Sequence, residues 1–338
     1  MTDGSVLVIG AGAIGGVIAG LMTGQVKRVA VIDANVEHVR RLREPGLILE
    51  LDDGSRTVPL DAYASVSELT DSSEFGLITV KAVHLEQAVR GVVDAGLAET
   101  YVALGNGLVQ DRVAALVGAE RLIAGTVELG ATNLGPGRVR RTTSNPFVIG
   151  ELDGVRRPRL ERLADLLGTV DAVRLTGNIH GQIWSKLLVN STFSGLGVIG
   201  GVLYRDVAEH PAGRRAIAAV WSEGYRIGMD GGLELEEVLG VRPVDLASSA
   251  AADGEARTQR AIDTVIGFAG NTKASMLQDV ERGAATEVDV INGAIVERAR
   301  REGSEAPHNE AIVEFVHQFE RGERRPSPDL FAQVLAAG

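Results

Sequence analysis

The chain of 338 residues contains no cysteine. That excludes disulfides, thiolate nucleophiles and thiolate metal sites, and it fits a cytoplasmic location. Positive charge is also in deficit: 34 Lys and Arg against 45 Asp and Glu leave a net charge of −11. No nucleic-acid surface and no membrane-binding polybasic patch are therefore expected. No apolar stretch reaches the roughly 18 charge-free residues that a membrane span needs. The chain enters a strand-like run almost at once, without a basic leader or a small-residue cleavage site. His38, His84, His180, His210, His308 and His317 show no H-x-x-x-H or H-E-x-x-H spacing, so no metal site is expected. A nucleophile elbow and a P-loop are missing as well.

What is present begins with the run Ser5 to Ile9, which passes directly into Gly10-Ala11-Gly12-Ala13-Ile14-Gly15. A glycine triplet alone is a weak signal. Here a strand-like run precedes it, a helix-compatible run (Ala13 to Met22) follows, and Asp33 closes the next apolar run. In that context G-x-G-x-x-G is a dinucleotide-binding fingerprint. Gly10 allows the tight turn, Gly12 lets the backbone approach a pyrophosphate, and Gly15 lets helix and strand pack closely. The helix N-terminus offers unpaired N–H groups and a partial positive charge to the phosphates.

The first half alternates short β-branched runs with helical stretches, the pattern of βαβ units and a largely parallel sheet. Arg28 to Ile32 reads as the second strand, followed by a helix capped by Asn35 with Val36, Val39 and Leu42 on its apolar face. Leu47 to Leu51 and Arg56 to Leu60 read as a hairpin, as do Arg121 to Glu128 and Arg138 to Thr142 around Gly135-Pro136-Gly137. From Asn178 onward the pattern is nearly all helical. The helices expected are Asn178 to Phe193, Pro211 to Met229, Leu235 to Leu239, Glu255 to Phe268 and Glu287 to Glu302. The chain thus reads as an α/β dinucleotide-binding domain (1–176) followed by an all-helical domain (177–338).

Several positions carry chemistry. Lys186, Asn190 and Ser194 fall at i, i+4 and i+8, one face of a helix. A single lysine among apolar residues is either a snorkelling side chain at a domain edge or a general acid in a cleft. Thr286 and Asp289 approximate a capping box that places Glu287 in a first helical turn, where the dipole alone favours a carboxylate. Asn106 and Lys81 follow strand ends, where parallel sheets place ligand contacts. Asn-Gly is also an ordinary turn pair, and strand-end lysines are common on surfaces.

Together these residues resemble the ketopantoate reductase (2-dehydropantoate 2-reductase) family over nearly the whole chain. The segments that carry the resemblance are the glycine fingerprint, Lys81, Asn106-Gly107, Lys186-Leu187-Leu188-Val189-Asn190, Ser275-Met276-Leu277-Gln278-Asp279 and Thr286 to Gly293. The resemblance implies a Rossmann domain joined to a helical domain like that of 6-phosphogluconate dehydrogenase, and a homodimer formed through the helical domain. It implies Lys186 as the general acid and Glu287 beside the cofactor ribose and substrate. Asn106 would contact both ligands, and Asn190 and Ser275 the substrate, a small 2-oxo or 2-hydroxy acid. A non-catalytic NAD(H)-binding sensor on the same fold is the alternative, which the joint presence of Lys186, Asn190, Ser275 and Glu287 speaks against. The same family-specific segments speak against an opine or 6-phosphogluconate-type dehydrogenase.

The chain departs from the family pattern at three places. Asp33 stands where a basic or small polar residue suits a 2′-phosphate, so NAD is the expected cofactor. NADP stays open through Arg40 and Arg41. Ser194-Gly195 replaces an Asn-Pro pair, and Tyr204 stands where a polar contact or glycine is usual. Both changes fall in the expected substrate wall, so a substrate other than ketopantoate is expected.

Overall fold

The computed structural model describes residues 2–247 and 253–338. Residues up to Gly105, with Val109–Ile179, make one compact unit; Asn106–Leu108 and His180–Gly338 make the other. Among the described residues no helix is long and apolar enough to cross a membrane.

The first unit carries strands β1 (Thr2–Ile9), β2 (Val26–Ile32), β3 (Leu47–Leu51), β4 (Gly54–Val58), β5 (Asp61–Tyr63), β6 (Ser73–Ile78), β7 (Ala98–Ala103), β8 (Leu122–Val127), β9 (Ala131–Gly135), β10 (Arg138–Arg141), β11 (Phe147–Glu151) and β12 (Val173–Leu175). Eight form one sheet in the order β12-β11-β8-β7-β6-β1-β2-β5. Every pairing in it is parallel except β8 with β11. The central strands are continuously apolar because helices cover both faces. Val6, Val8, Val31, Phe75, Leu77 and Val102 are all fully buried in that core. The chain runs from β1 outward through β2 and then returns to build β6, β7 and β8 on the other side. The strand order therefore reverses between β1 and β6, and ligands of open α/β sheets bind outside the strand ends at such a point.

The remaining strands form a smaller sheet, β4-β3-β10-β9. The β3–β4 hairpin is as expected, but the second expected hairpin is not. Gly135-Pro136-Gly137 closes β9 onto β10, while β8 lies in the large sheet between β7 and β11. The turn signal locates a reversal but does not name its partner strand, and the wholly buried β8 belongs to a sheet covered on both faces. Asn35 does cap the helix Val36–Arg41, its Oδ1 accepting the His38 N–H at 3.0 Å. Val36 is exposed, however, and His38 with Val39 forms the buried face.

The second unit is helical, with a core built around Trp184, Leu188, Phe193, Trp221, Ile262, Ile295 and Phe331. The expected helix from Asn178 is Ile179–Val189, followed by a π turn (Asn190–Ser194) and a further helix, Gly195–Gly200. Leu235 to Leu239 is not helical: the Glu236 N–H donates to Ser185 Oγ at 2.9 Å, and Val238 bridges to Val241. The expected helix Glu287 to Glu302 is broken at Ile291 into a 3-10 turn, Val288–Val290, and the helix Asn292–Arg301. No capping box forms there. The Thr286 hydroxyl accepts the Val288 N–H at 3.3 Å, and Glu287 stands before the turn with its carboxylate committed elsewhere.

Candidate active site

In the first unit the glycine fingerprint joins β1 to the helix Ala13–Met22. A Cβ on Gly15 would overlap the Gly10 carbonyl, so only glycine allows the helix to start this close to the strand. Gly12 is different: a Cβ there would meet nothing within 4 Å. No internal contact requires a glycine at that position, which leaves close approach by a ligand as its reason. The helix that follows has no side-chain cap at its N-terminus, so its first N–H groups lack the usual acceptor. Asp33 lies at the end of β2, half-buried. Its Oδ2 accepts the Ala11 N–H at 2.9 Å and its Oδ1 accepts the Asn35 N–H at 2.9 Å. An ionised carboxylate offers about four acceptor positions, so capacity remains for a ribose diol. A cavity lined by Gly12, Asp33, Asn35, His38, Asn133, Gly135 and Pro136 adjoins these groups. These features fit a dinucleotide. Lys81 is exposed on the loop beyond β6.

The second unit assembles Lys186, Asn106 and Glu287. Trp184 and Leu188 lock one face of the helix Ile179–Val189 against the helix Pro211–Asp230. The Trp184 indole N–H donates to the Gly224 carbonyl at 3.0 Å. A Cβ on Gly224 would lie 2.6 Å from Leu188 Cδ2, and one on Gly228 would strike the Trp184 ring. Lys186 is two residues offset from this face and so projects to the other side. Its ammonium donates to Asn106 Oδ1 at 3.3 Å, and Asn106 Nδ2 donates to Glu287 Oε2 at 3.1 Å. The Asn106 amide is thereby oriented from both ends. The loop that carries it is held too: the Leu108 N–H donates to the Val290 carbonyl at 3.1 Å. Gly107 (φ +73°) lies so close to Val290 that any side chain would overlap its carbonyl oxygen. Glu287 is buried, at 8% exposure. The local reading of Glu287 as a helix-start residue is therefore incomplete, because its carboxylate receives a hydrogen bond from a residue 181 positions away.

Asn190, one turn beyond Lys186, is half-buried, and its carboxamide makes no hydrogen bond among the described residues. Ser275 opens the helix Ser275–Glu281 and is exposed. Ser194 does not share the half-buried face of Lys186 and Asn190 as the i, i+4, i+8 spacing predicts. The π turn Asn190–Ser194 breaks that periodicity, and Ser194 is buried with its hydroxyl 2.5 Å from the Tyr204 hydroxyl, not in a substrate wall. The two departures read separately from the sequence thus form one hydrogen-bonded pair. Burial pushes the Tyr204 phenol up to about 12, although the Ser194 bond works in the other direction. Two residues escaped sequence reasoning. His38 bonds with both ring nitrogens beside the fingerprint. Asn292, fully buried, donates to the Ser191 carbonyl at 2.9 Å inside the π turn. Asn292 lies within the T-E-x-D-x-I-N-G segment, whose regular polar spacing was the available signal.

The profile for ketopantoate reductase PanE/ApbA matches residues 6–154, and the profile for its C-terminal part matches residues 178–320. The chain belongs to the ketopantoate reductase family. A 2-dehydropantoate 2-reductase of Halobacterium salinarum is 26% identical over 318 residues, covering 94% of this chain and 99% of its own. Among solved structures, a PanE/ApbA family ketopantoate reductase from Ralstonia eutropha matches with a TM-score of 0.79 at 24% identity, over 94% of this chain and 99% of its own. D-mandelate dehydrogenase in a ternary structure with NADH and anilino(oxo)acetate matches with a TM-score of 0.80 at 24% identity, over the same shares of the two chains. These structures share the fold. As a member of the ketopantoate reductase family, the protein is an NAD(P)H-dependent oxidoreductase acting on a CH–OH group. The comparisons give no support to a non-catalytic sensor.

Proposed function

We propose that this ketopantoate reductase family member prefers NAD(H) and reduces a small 2-oxo acid other than ketopantoate, with Lys186 as proton donor. The observation that carries the chemistry is the chain Lys186–Asn106–Glu287. A bound reduced nicotinamide supplies the hydride. As a ketone accepts hydride its oxygen gains negative charge, and an ammonium beside it both stabilises that charge and delivers the proton. Asn106 aims the ammonium, and Glu287 aims Asn106. In the oxidative direction the neutral Lys186 amine takes the alcohol proton. Asn190 and Ser275, both with unengaged polar groups, serve the substrate carboxylate or hydroxyls.

Asp33 supports the cofactor preference, since a carboxylate accepts hydrogen bonds from a ribose diol and repels a 2′-phosphate. Two unit charges about 5 Å apart at an effective dielectric of about 20 repel by about 3 kcal/mol, on the order of 100-fold in kcat/KM. Arg40 and Arg41 are both turned to Glu37. Hydrogen bonds from Arg40 and then Arg41 hold the Glu37 carboxyl down at about 2. The substrate proposal rests on the loss of the family's second amide at position 194, where a buried serine bonded to Tyr204 leaves no polar group for a substrate. A homodimer is likewise proposed on the family resemblance. A panel of 2-oxo and 2-hydroxy acids, ketopantoate included, assayed with NADH and NADPH in parallel, tests both readings. Faster turnover with NADPH would overturn the cofactor preference, and ketopantoate as the best substrate would overturn the other.

A further inference from the structure

Ala11, inside the glycine fingerprint, is held at both of its backbone polar groups. Its N–H donates to Asp33, and its carbonyl lies 2.8 Å from His38 Nε2. His38 Nδ1 in turn accepts the Gly137 N–H at 2.9 Å. A ring nitrogen that accepts carries no hydrogen, so the imidazole is neutral with its hydrogen on Nε2, and Nε2 donates to Ala11. His38 is 4% exposed and lines the same cavity as Gly12, Asp33 and Asn133. Both its nitrogens are already used, so it has no hydrogen bond to offer a ligand there.

We propose that His38 is a positioning residue for the dinucleotide, acting through the Ala11–Gly12 peptide. A trans peptide is planar, with its C=O and N–H pointing in opposite directions. Drawing the Ala11 oxygen onto His38 therefore turns the Gly12 N–H the other way and fixes it at the uncapped start of the helix Ala13–Met22. Asp33 does the same for the preceding Gly10–Ala11 peptide. Two consecutive peptide planes of the fingerprint are thus clamped before any ligand arrives, which lowers the ordering cost of binding. The second bond ties this clamp to the Gly135-Pro136-Gly137 turn of the smaller sheet, a wall of the same cavity. This inference rests on the dinucleotide reading above.

Two substitutions separate the two bonds. Asn places an oxygen near the position of His Nδ1, so His38→Asn keeps the Gly137 bond and loses the reach to Ala11. Gln places its NH2 near the position of His Nε2, so His38→Gln keeps the donor to Ala11. NADH binding is measured by fluorescence titration on wild type and both variants, with melting of the ligand-free protein as the check on folding. The expected result is a dissociation constant raised about tenfold in His38→Asn, as for one lost hydrogen bond to a preorganised loop. His38→Gln stays within about threefold of wild type, on the same scale. In turnover the Asn loss falls on KM for NADH rather than on kcat. Equal binding by wild type and His38→Asn, or an equal loss in His38→Gln, overturns the inference while leaving the dinucleotide reading intact. Failure of the wild type to bind NADH or NADPH overturns the dinucleotide reading and the inference with it. Should His38→Asn not fold, the Gln variant alone decides, because weakened NADH binding in a folded His38→Gln contradicts the role.

Discussion

The dinucleotide-binding unit builds its site from neighbouring residues and backbone groups, whereas the helical unit builds its own from side chains of three distant segments. In the first, backbone groups of one loop are set by two side chains close in sequence, Asp33 and His38, 22 and 27 positions from Ala11. In the second, Asn106 reaches Lys186 across 80 positions and Glu287 across 181. Backbone N–H groups suit a charge that is present throughout binding, the phosphates. Side chains with movable protons suit a charge that appears only during reaction. The two sites should accordingly fail in different ways: damage to the first shows in cofactor affinity and choice, and damage to the second in the chemical step.

The sharpest break of the comparison is Lys186→Ala. Loss of a general acid lowers kcat by about 10³-fold, and the NADH dissociation constant stays unchanged in a direct titration. An equal loss in NADH affinity would mean that the two sites are not separate in function. Next in size is Asp33→Ser, which removes the charge that repels a 2′-phosphate. The ratio of kcat/KM with NADH to that with NADPH should fall by about 100-fold, with kcat on NADH nearly preserved. An unchanged ratio would remove Asp33 from cofactor selection. Asn106→Ala comes third, since it leaves the ammonium in place but unaimed. Single-turnover rates should drop by about 30-fold, a typical cost of lost orientation, and Glu287→Gln should drop them less.

The smallest effect concerns the scaffold behind Lys186. Buried Glu223 accepts hydrogen bonds from the His308 ring and from the Asn309 N–H and Nδ2, and Asn309 Oδ1 accepts from Asn292. The bond to Glu223 raises His308 above its ordinary 6.5, against burial. Burial pushes Glu223 up, but the bonds from His308 and Asn309 outweigh it and leave its carboxyl below the ordinary 4.5. The His308 contribution to stability is therefore complete below pH 6.5 and lost as pH rises through its raised value. The Glu223 contribution is complete above pH 4.5 and lost as pH falls through its lowered value. Glu223→Gln should flatten both limbs of the melting-temperature profile and cost about 2 kcal/mol between them. A profile of unchanged shape would count against the pair.

The same contrast explains what could be read before folding. The fingerprint, Asp33 and the Lys186–Asn190 spacing are local patterns, and periodicity reveals them. Only four residues are lysines, Lys27, Lys81, Lys186 and Lys273, so a lysine inside an apolar helix was itself a signal. The union of Asn106 with Glu287, the Ser194–Tyr204 pair and the two-sided bonding of His38 are tertiary. No spacing rule brings such residues together. The misplaced hairpin has the same origin, since Gly135-Pro136-Gly137 specifies a reversal but β8 was claimed by another sheet. The break at Ile291 escaped notice because apolar periodicity runs across it, while the carboxylate of Glu287 is fixed by Asn106 and not by the helix.

The most direct test of the proton-donor role is chemical rescue of Lys186→Ala by added alkylamines, followed as single-turnover oxidation of NADH with the fastest acid of the substrate panel. The account predicts that the slow rate rises with alkylammonium concentration, while NADH binding does not change. A variant that turns over at the wild-type rate without amine would contradict it. So would a slow variant that no small amine accelerates.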